Sequence, residues 1–187
     1  MKICMIGTGY VGLVTGTCFA DIGHQVYCVD KDLSKINQLN SGISPIYEPG
    51  LDELIKKNHK AKRLYFTSDL KKAISISDII FICVGTPNIK GSLKVDLSFV
   101  FKCTKEILAI TKKKKIIVTK STVPIGTGDQ IENIIKKKKK LFSVISNPEF
   151  LREGEAIRDF RYPDRIIIGS NSKNEFNDDL VNENSNI

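Results

Sequence analysis

Gly7, Gly9 and Gly12 stand at Gly-x-Gly-x-x-Gly spacing near the start of the chain, and Asp30 follows eighteen residues after Gly12. Three glycines so spaced suit a dinucleotide. The first permits a tight turn out of a strand, the second lets backbone approach a pyrophosphate, and the third lets a helix pack close to that strand. The helix N-terminus then offers free N–H groups and a partial positive charge. An acid ending the next strand accepts hydrogen bonds from an adenosine ribose and repels a 2′-phosphate, which points to NAD rather than NADP. A glycine-rich turn with an incidental Asp is the simpler alternative. The strand–loop–helix–strand context of Lys2–Asp30 speaks against it.

Three further segments put reactive groups at strand ends, where open α/β sheets bind ligands. Ile79–Pro87 (IIFICVGTP) is a buried strand ending in Val84, Gly85, Thr86 and Pro87. That turn can lay backbone and a hydroxyl along a cofactor, or it simply ends the strand. Thr119–Thr127 (TKSTVPIGT) brings Ser121 and Thr122 to the same edge. Their hydroxyls can meet a nicotinamide, a phosphate or a water; helix capping by Thr122 or Thr127 explains them equally. Ser146–Ala156 (SNPEFLREGEA) carries Glu149 and Glu153 on either side of Arg152. On a helix the two acids share a face and could handle protons or orient a water. A charged helix start answering the dipole is the alternative.

The elements that must hold these groups alternate. Strand-like runs occur at Lys2–Ile6, Gln25–Val29, Ile79–Val84, Ile116–Thr119, Phe142–Ile145 and Arg165–Ile168. Helix-like segments occur at Tyr10–Ile22, Leu33–Asn40, Leu51–Asn58, Leu70–Ser75, Leu97–Thr111 and Gly126–Lys137, with Asp69 and Asp96 as N-caps. This order predicts a Rossmann-type α/β domain over residues 1–170: a doubly wound, mostly parallel sheet covered by helices on both faces. Asn40–Pro49, rich in proline and glycine, reads as an inserted loop. Residues 171–187 are rich in Asn, Asp, Glu and Ser and read as a frayed or disordered tail, with a helix from Asn174 as the alternative.

Composition excludes several function classes. At 187 residues and 41% hydrophobic content the chain can bury a core, and no run approaches a membrane span of about 20 apolar residues. Met1-Lys2 leads straight into the first strand without a signal peptide, so a cytoplasmic protein is expected. Cys4, Cys18, Cys28, Cys83 and Cys103 form no C-x-x-C pair, and no His lies at metal spacing. They read as buried, inert thiols, and no metal site is expected. The net charge of +8 gathers in Lys112–Lys115 and Lys136–Lys140. Each run follows a helix-like segment, where lysines favour the dipole. A nucleic-acid patch is the rival, but no aromatics interleave the lysines. Neither nucleic acid nor membrane is expected as a partner.

GTGYVG, VGTP, KSTVPIGTG, SNPEFLREGEA and PDRIIIG, in that order and with SPIYEPG at Ser44–Gly50, resemble the N-terminal domain of the UDP-glucose/GDP-mannose dehydrogenase family. KSTVPIGTG with PDRIIIG is more similar to members acting on UDP-glucose than to those acting on GDP-mannose or UDP-N-acetylmannosamine. The resemblance implies NAD contacts at Val11, Asp30, Lys35, Thr86, Thr122 and Glu153, in a site that also takes in Gly7, Gly9, Tyr10, Gly12, Val84, Gly85, Pro87 and Ser121. Lys35 would lie near the ribose; a solvated helix lysine is the alternative. Glu149, Phe150, Leu151, Arg152 and Glu153 match the segment that touches the sugar nucleotide. Thr122 and Glu149 match residues that assist the chemistry through a bound water.

The family reaction implied is a double oxidation. The sugar's C6 alcohol gives hydride to NAD, and a cysteine captures the aldehyde. A second hydride transfer leaves a thioester, which water hydrolyses. That cysteine belongs to a Gly-Phe-Gly-Gly-x-Cys-type motif, which this sequence does not contain. The expectation is the NAD-binding half of a dehydrogenase for UDP-glucose or a related nucleotide sugar, incomplete alone and completed by a second chain or a C-terminal half. A non-enzymatic NAD-binding module is the alternative.

Overall fold

Short β-branched runs alternate with amphipathic segments, and the result is a seven-stranded sheet between two helical layers. In the computed structural model, which describes residues 1–92 and 94–170, the elements run β1 (Lys2–Ile6), α1 (Tyr10–Asp21), β2 (Gln25–Val29), α2 (Leu33–Asn40), α3 (Leu51–Lys60), β3 (Leu64–Thr67) and α4 (Leu70–Ile76). They continue as β4 (Ile79–Ile82), α5 (Ser98–Ile110), β5 (Lys115–Thr119), α6 (Thr127–Ile135), a 3₁₀ stretch (Lys136–Leu141), β6 (Phe142–Ser146), α7 (Ala156–Arg161) and β7 (Gly169–Ser170). The sheet order is β3-β2-β1-β4-β5-β6-β7. All neighbouring pairs are parallel except β6–β7. This is the doubly wound Rossmann-type α/β fold that the alternation predicts.

Both sheet faces are buried, as a parallel sheet requires. Ile3, Met5, Val26, Cys28, Phe81 and Val118 face α1 and α3, while Cys4, Ile6, Ile80, Ile82 and Ile117 face α4, α5 and α6. α7 docks on α1 through an edge-on Phe19–Phe160 contact at 5.1 Å. The Asp21 carboxylate adds ion pairs to Lys57 at 2.7 Å and Arg161 at 3.0 Å, tying α1 to α3 and α7.

Asp69 caps α4 as expected, accepting from the Lys72 N–H at 2.9 Å. Asp96 lies one residue early: Leu97 is the N-cap of α5, and Asp96 accepts from the Ser98 N–H at 2.8 Å. Apart from buried Lys115, which opens β5, the lysines of both runs precede β5 and β6 at the N-terminal edge of the sheet, opposite the glycine loop. Lys138 Nζ donates to the Leu108 carbonyl at 2.9 Å, a helix-end role on the last turn of α5 rather than on α6, the helix its run follows.

Two expectations are corrected. β3 was not anticipated; its four residues alternate between buried Leu64 and Phe66 and half-buried Tyr65 and Thr67. Arg165–Ile168 is not a strand. The chain there runs exposed, and only Gly169 and Ser170 pair, with Ser146 and Ile145. Glu149–Glu153, open to either reading in the sequence, is a loop. Pro148 disfavours helical backbone before it, and Gly154 adopts φ +87° after it. The expectations for residues 171–187 lie outside the described residues. No helix among the described residues is long and apolar enough to cross a membrane.

Candidate functional site

β1 lies between β2 and β4, and its two flanking connections leave in opposite directions. A crevice therefore opens beyond the carboxyl ends of β1 and β4. The glycine loop is wedged there. Gly7 takes φ +104°, and a Cβ on it would lie 2.5 Å from the Cys83 carbonyl oxygen. A Cβ on Gly12 would overlap the Gly7 carbonyl oxygen and stand 3.0 Å from Cys83 Cβ. Gly9 differs: a Cβ on it would meet nothing within 4 Å. α1 starts directly after Gly9 with no side-chain cap. Its first-turn N–H groups face open space beside a residue with no side chain, a cradle fitted to a pyrophosphate.

Asp30 ends β2 at the same edge. Its Oδ2 accepts from the Thr8 N–H at 2.9 Å and the Thr8 hydroxyl at 2.7 Å, and its Oδ1 accepts from the Asp32 N–H at 3.1 Å. A carboxylate offers about four acceptor positions, so one on Oδ1 stays open. Burial alone pushes the Asp30 carboxyl up, but these hydrogen bonds and nearby Lys35 outweigh it and hold the group below its ordinary value of 3.8. A carboxyl lowered in the folded state stabilises above its unfolded pKa, and that contribution is lost as pH falls through the folded value. Asp30→Asn is therefore expected to shrink the gap between urea midpoints measured at pH 5 and pH 3; an unchanged gap would count against this assignment.

The loops after β4 and β5 are stitched together. Ser121, buried, donates its hydroxyl to the Val84 carbonyl at 2.7 Å, and Thr86 donates to the Thr122 carbonyl at 2.8 Å. Ser121 therefore positions Val84–Pro87, while the exposed Thr122 keeps its side chain at the edge. α6 takes Gly126, not a threonine, as N-cap, and Thr127 is buried with its hydroxyl on the Pro124 carbonyl at 2.7 Å. Capping thus explains neither threonine.

Sequence reasoning missed Lys120. It is 8% exposed; burial lowers its ammonium from the ordinary value of 10.5 against the opposing charge of Glu149, and it donates to Asn147 Oδ1 at 3.0 Å. Asn147 in turn donates to the Ile167 carbonyl at 2.9 Å. A lysine ending an apolar strand was the available signal. The loop beyond is held at both ends: Glu149 accepts from the Leu151 N–H at 2.7 Å, and Arg152 pairs with Asp159 of α7 at 2.6 Å. Arg165 lies over the Phe150 ring at 4.4 Å, and Glu153 is exposed. Val11 and Lys35 are partly buried near the glycine loop and Asp30 respectively. Tyr10, in contrast, turns its hydroxyl to Glu48.

All five cysteines are free and buried. Burial pushes the Cys83 thiol, at the end of β4, up to about 12. No group of three or more metal-binding side chains occurs among the described residues.

Residues 1–183 match the model of the UDP-glucose/GDP-mannose dehydrogenase family, NAD binding domain. The chain belongs to this family. NAD is the cofactor of the domain, and the open cradle at Gly9 with the spare acceptor on Asp30 fits it. A UDP-glucose 6-dehydrogenase of Rhizobium meliloti is 56% identical over 171 residues, covering 90% of this chain and 39% of that enzyme. A GDP-mannose dehydrogenase from Pseudomonas aeruginosa, solved as a ternary complex, is 38% identical with a TM-score of 0.90, over 98% of this chain and 43% of the other. A UDP-glucose dehydrogenase from Pyrobaculum islandicum is 36% identical with a TM-score of 0.86, over 96% and 42%. This family member thus spans about two fifths of the length of the relatives it matches.

Proposed function

We propose that the chain is the NAD-binding part of a nucleotide-sugar dehydrogenase that oxidises UDP-glucose to UDP-glucuronate, with two NAD reduced per sugar. The observation that carries this reading is the convergence at one sheet edge of the glycine cradle, Asp30 and the stitched Thr86–Thr122 loops. The 56% identity to the Rhizobium meliloti enzyme supports the choice of sugar nucleotide. Bound NAD would supply the hydride acceptor. The first-turn amides of α1 hold the pyrophosphate, Gly9 leaves room for it, and Asp30 takes a ribose hydroxyl on its free Oδ1 position. Val11, Lys35, Thr86 and Glu153 complete the cofactor's surroundings. Phe150, Leu151 and Arg152 present backbone and side chains to the sugar nucleotide. Thr122 and Glu149 orient a water at the reacting carbon.

The chain's own thiols are buried, and burial holds each in its protonated form. None is poised as a nucleophile, so the thiol step needs a group from outside these residues. Calorimetry with NAD and with NADP, and NADH absorbance with UDP-glucose, test the reading. NAD is expected to bind, NADP to bind at least about tenfold more weakly because of the Asp30 charge, and no NADH to appear. Equal NAD and NADP affinity would overturn the role of Asp30. Turnover by this chain alone would overturn the need for an external thiol.

A further inference from the structure

Glu48 is an acid buried in the inserted loop between α2 and α3, only 6% exposed. Among the described residues no cation pairs with it. A buried carboxylate is costly unless hydrogen bonds replace its water. Here the replacements come from far along the chain. The Tyr10 hydroxyl and the Gly154 N–H (2.8 Å) both donate to Oε2, and the Ile157 N–H (3.3 Å) donates to Oε1. The Gly154 N–H also lies 3.0 Å from the Tyr10 hydroxyl oxygen. α7 receives no capping bond from its own N-cap, Glu155, so Glu48 satisfies one of its orphan donors from a distant loop.

The partners are placed where the two ligands would meet. Tyr10 opens α1 immediately after Gly9. Gly154 follows Glu153 and closes the loop that begins at Glu149. Burial, with the hydrogen bond to Glu48, pushes the Tyr10 phenol up to about 12, so it remains a donor at neutral pH.

We infer that Glu48 is a positioning residue: its two carboxylate oxygens clamp the 149–154 loop and the start of α7 to the first turn of α1, fixing the sugar-nucleotide segment relative to the cofactor cradle. The identity of the two ligands rests on the function proposed above; the clamp itself does not. Glutamine in this place has the same shape but one acceptor oxygen, and its amide would set a donor against either Gly154 or Ile157. Glu48→Gln therefore separates a packing role from a two-acceptor role.

The test uses the full chain and backbone amide exchange. In Glu48→Gln, the exchange of the Gly154 or Ile157 amide is expected to rise about tenfold, the loss of one hydrogen bond to a charged acceptor, while Met5 in β1 is unchanged. Saturating NAD is expected to slow Gly154 exchange in the wild type and not in the variant. Exchange at both amides within twofold of wild type, or an equal NAD effect in the two proteins, overturns the proposal. If the variant does not fold, Tyr10→Phe removes one of Gly154's two acceptors and leaves the carboxylate. Faster Gly154 exchange with Ile157 unchanged then supports the clamp, and no change overturns it. Absence of NAD binding to the wild type defeats the cofactor reading instead, and the exchange rates without ligand still decide the clamp.

Discussion

Gly12→Ala is expected to lose about 2 kcal/mol or more of stability and all measurable NAD binding. The added methyl would overlap the Gly7 carbonyl oxygen and press on Cys83 Cβ at 3.0 Å. The first obstacle is backbone, which cannot swing aside as a long side chain does. Overpacking of this kind costs about 1–3 kcal/mol, and more where backbone must move. Alanine recovers about 1 kcal/mol through its helix propensity. The clash wins, and relief requires α1 to lift from β1, which carries its first-turn amides away from the crevice. Gly9→Ala is the control. Its backbone angles, φ −72° and ψ −174°, suit any residue, and its Cβ would meet open space. That variant is expected to keep wild-type stability while losing NAD, because only a ligand would touch the methyl. Urea unfolding and calorimetry on both variants check the pair. Wild-type stability in Gly12→Ala, or undiminished NAD binding in Gly9→Ala, would remove the packing account of the loop.

Above pH 9 the isolated chain is expected to lose stability steeply. Burial raises Cys4 and Cys28 well above the ordinary thiol value of 9.0, Cys18 and Cys83 to about 12, and Cys103 to about 11. A group raised only in the folded state lends stability below its unfolded pKa, and that stability drains as pH climbs past it. Each thiol contributes a slope of about 1.4 kcal/mol per pH unit, so the five together approach about 7. Lys115 and Lys120, which burial lowers from 10.5, act in the opposite sense as they lose their protons, but two groups recover at most about 3. The fall wins by about 4 kcal/mol per pH unit, so a fold at the lower end of ordinary stability, about 5 kcal/mol, does not survive beyond about pH 10.5. Urea midpoints in reducing buffer at pH 8, 9 and 10 measure the slope. Cys28→Ala should make it shallower by about 1.4 kcal/mol per pH unit, and parallel slopes would refute the thiol origin.

The cofactor half of the site was legible because each of its parts has a sequence cost. Gly7 needs a positive φ, Gly12 needs the absence of a side chain, and Asp30 must end a strand. The doubly wound order followed from the spacing of apolar runs. β3 escaped notice because four residues, half of them only partly buried, carry too little periodicity to register. Arg165–Ile168 misled for the opposite reason. Three isoleucines have strand composition, yet pairing is set by where the chain meets β6, two residues on from Ile167. Spacing alone leaves Glu149 and Glu153 open to a helix or a loop, and Pro148 with the positive φ of Gly154 decides for the loop. Lys120 and Glu48 stayed hidden because their meaning lies in partners such as Asn147, Tyr10 and Gly154, which no local pattern connects.

The central position of β1 governs when the cradle can exist. Ile3 pairs with Val26 on one side, but its other neighbour, Ile79, is translated much later, and Gly7 rests against Cys83. Seventy-six residues separate Gly7 from Cys83 in the chain. At ribosomal rates of about 5–20 residues per second, the nascent glycine loop waits roughly 4–15 s for the strand that gives it shape. During that interval β1 presents one unpaired edge. The glycine loop thus gains its shape only once β4 is made, before β5, β6 and β7 exist, and cofactor cannot assist the folding steps that precede β4.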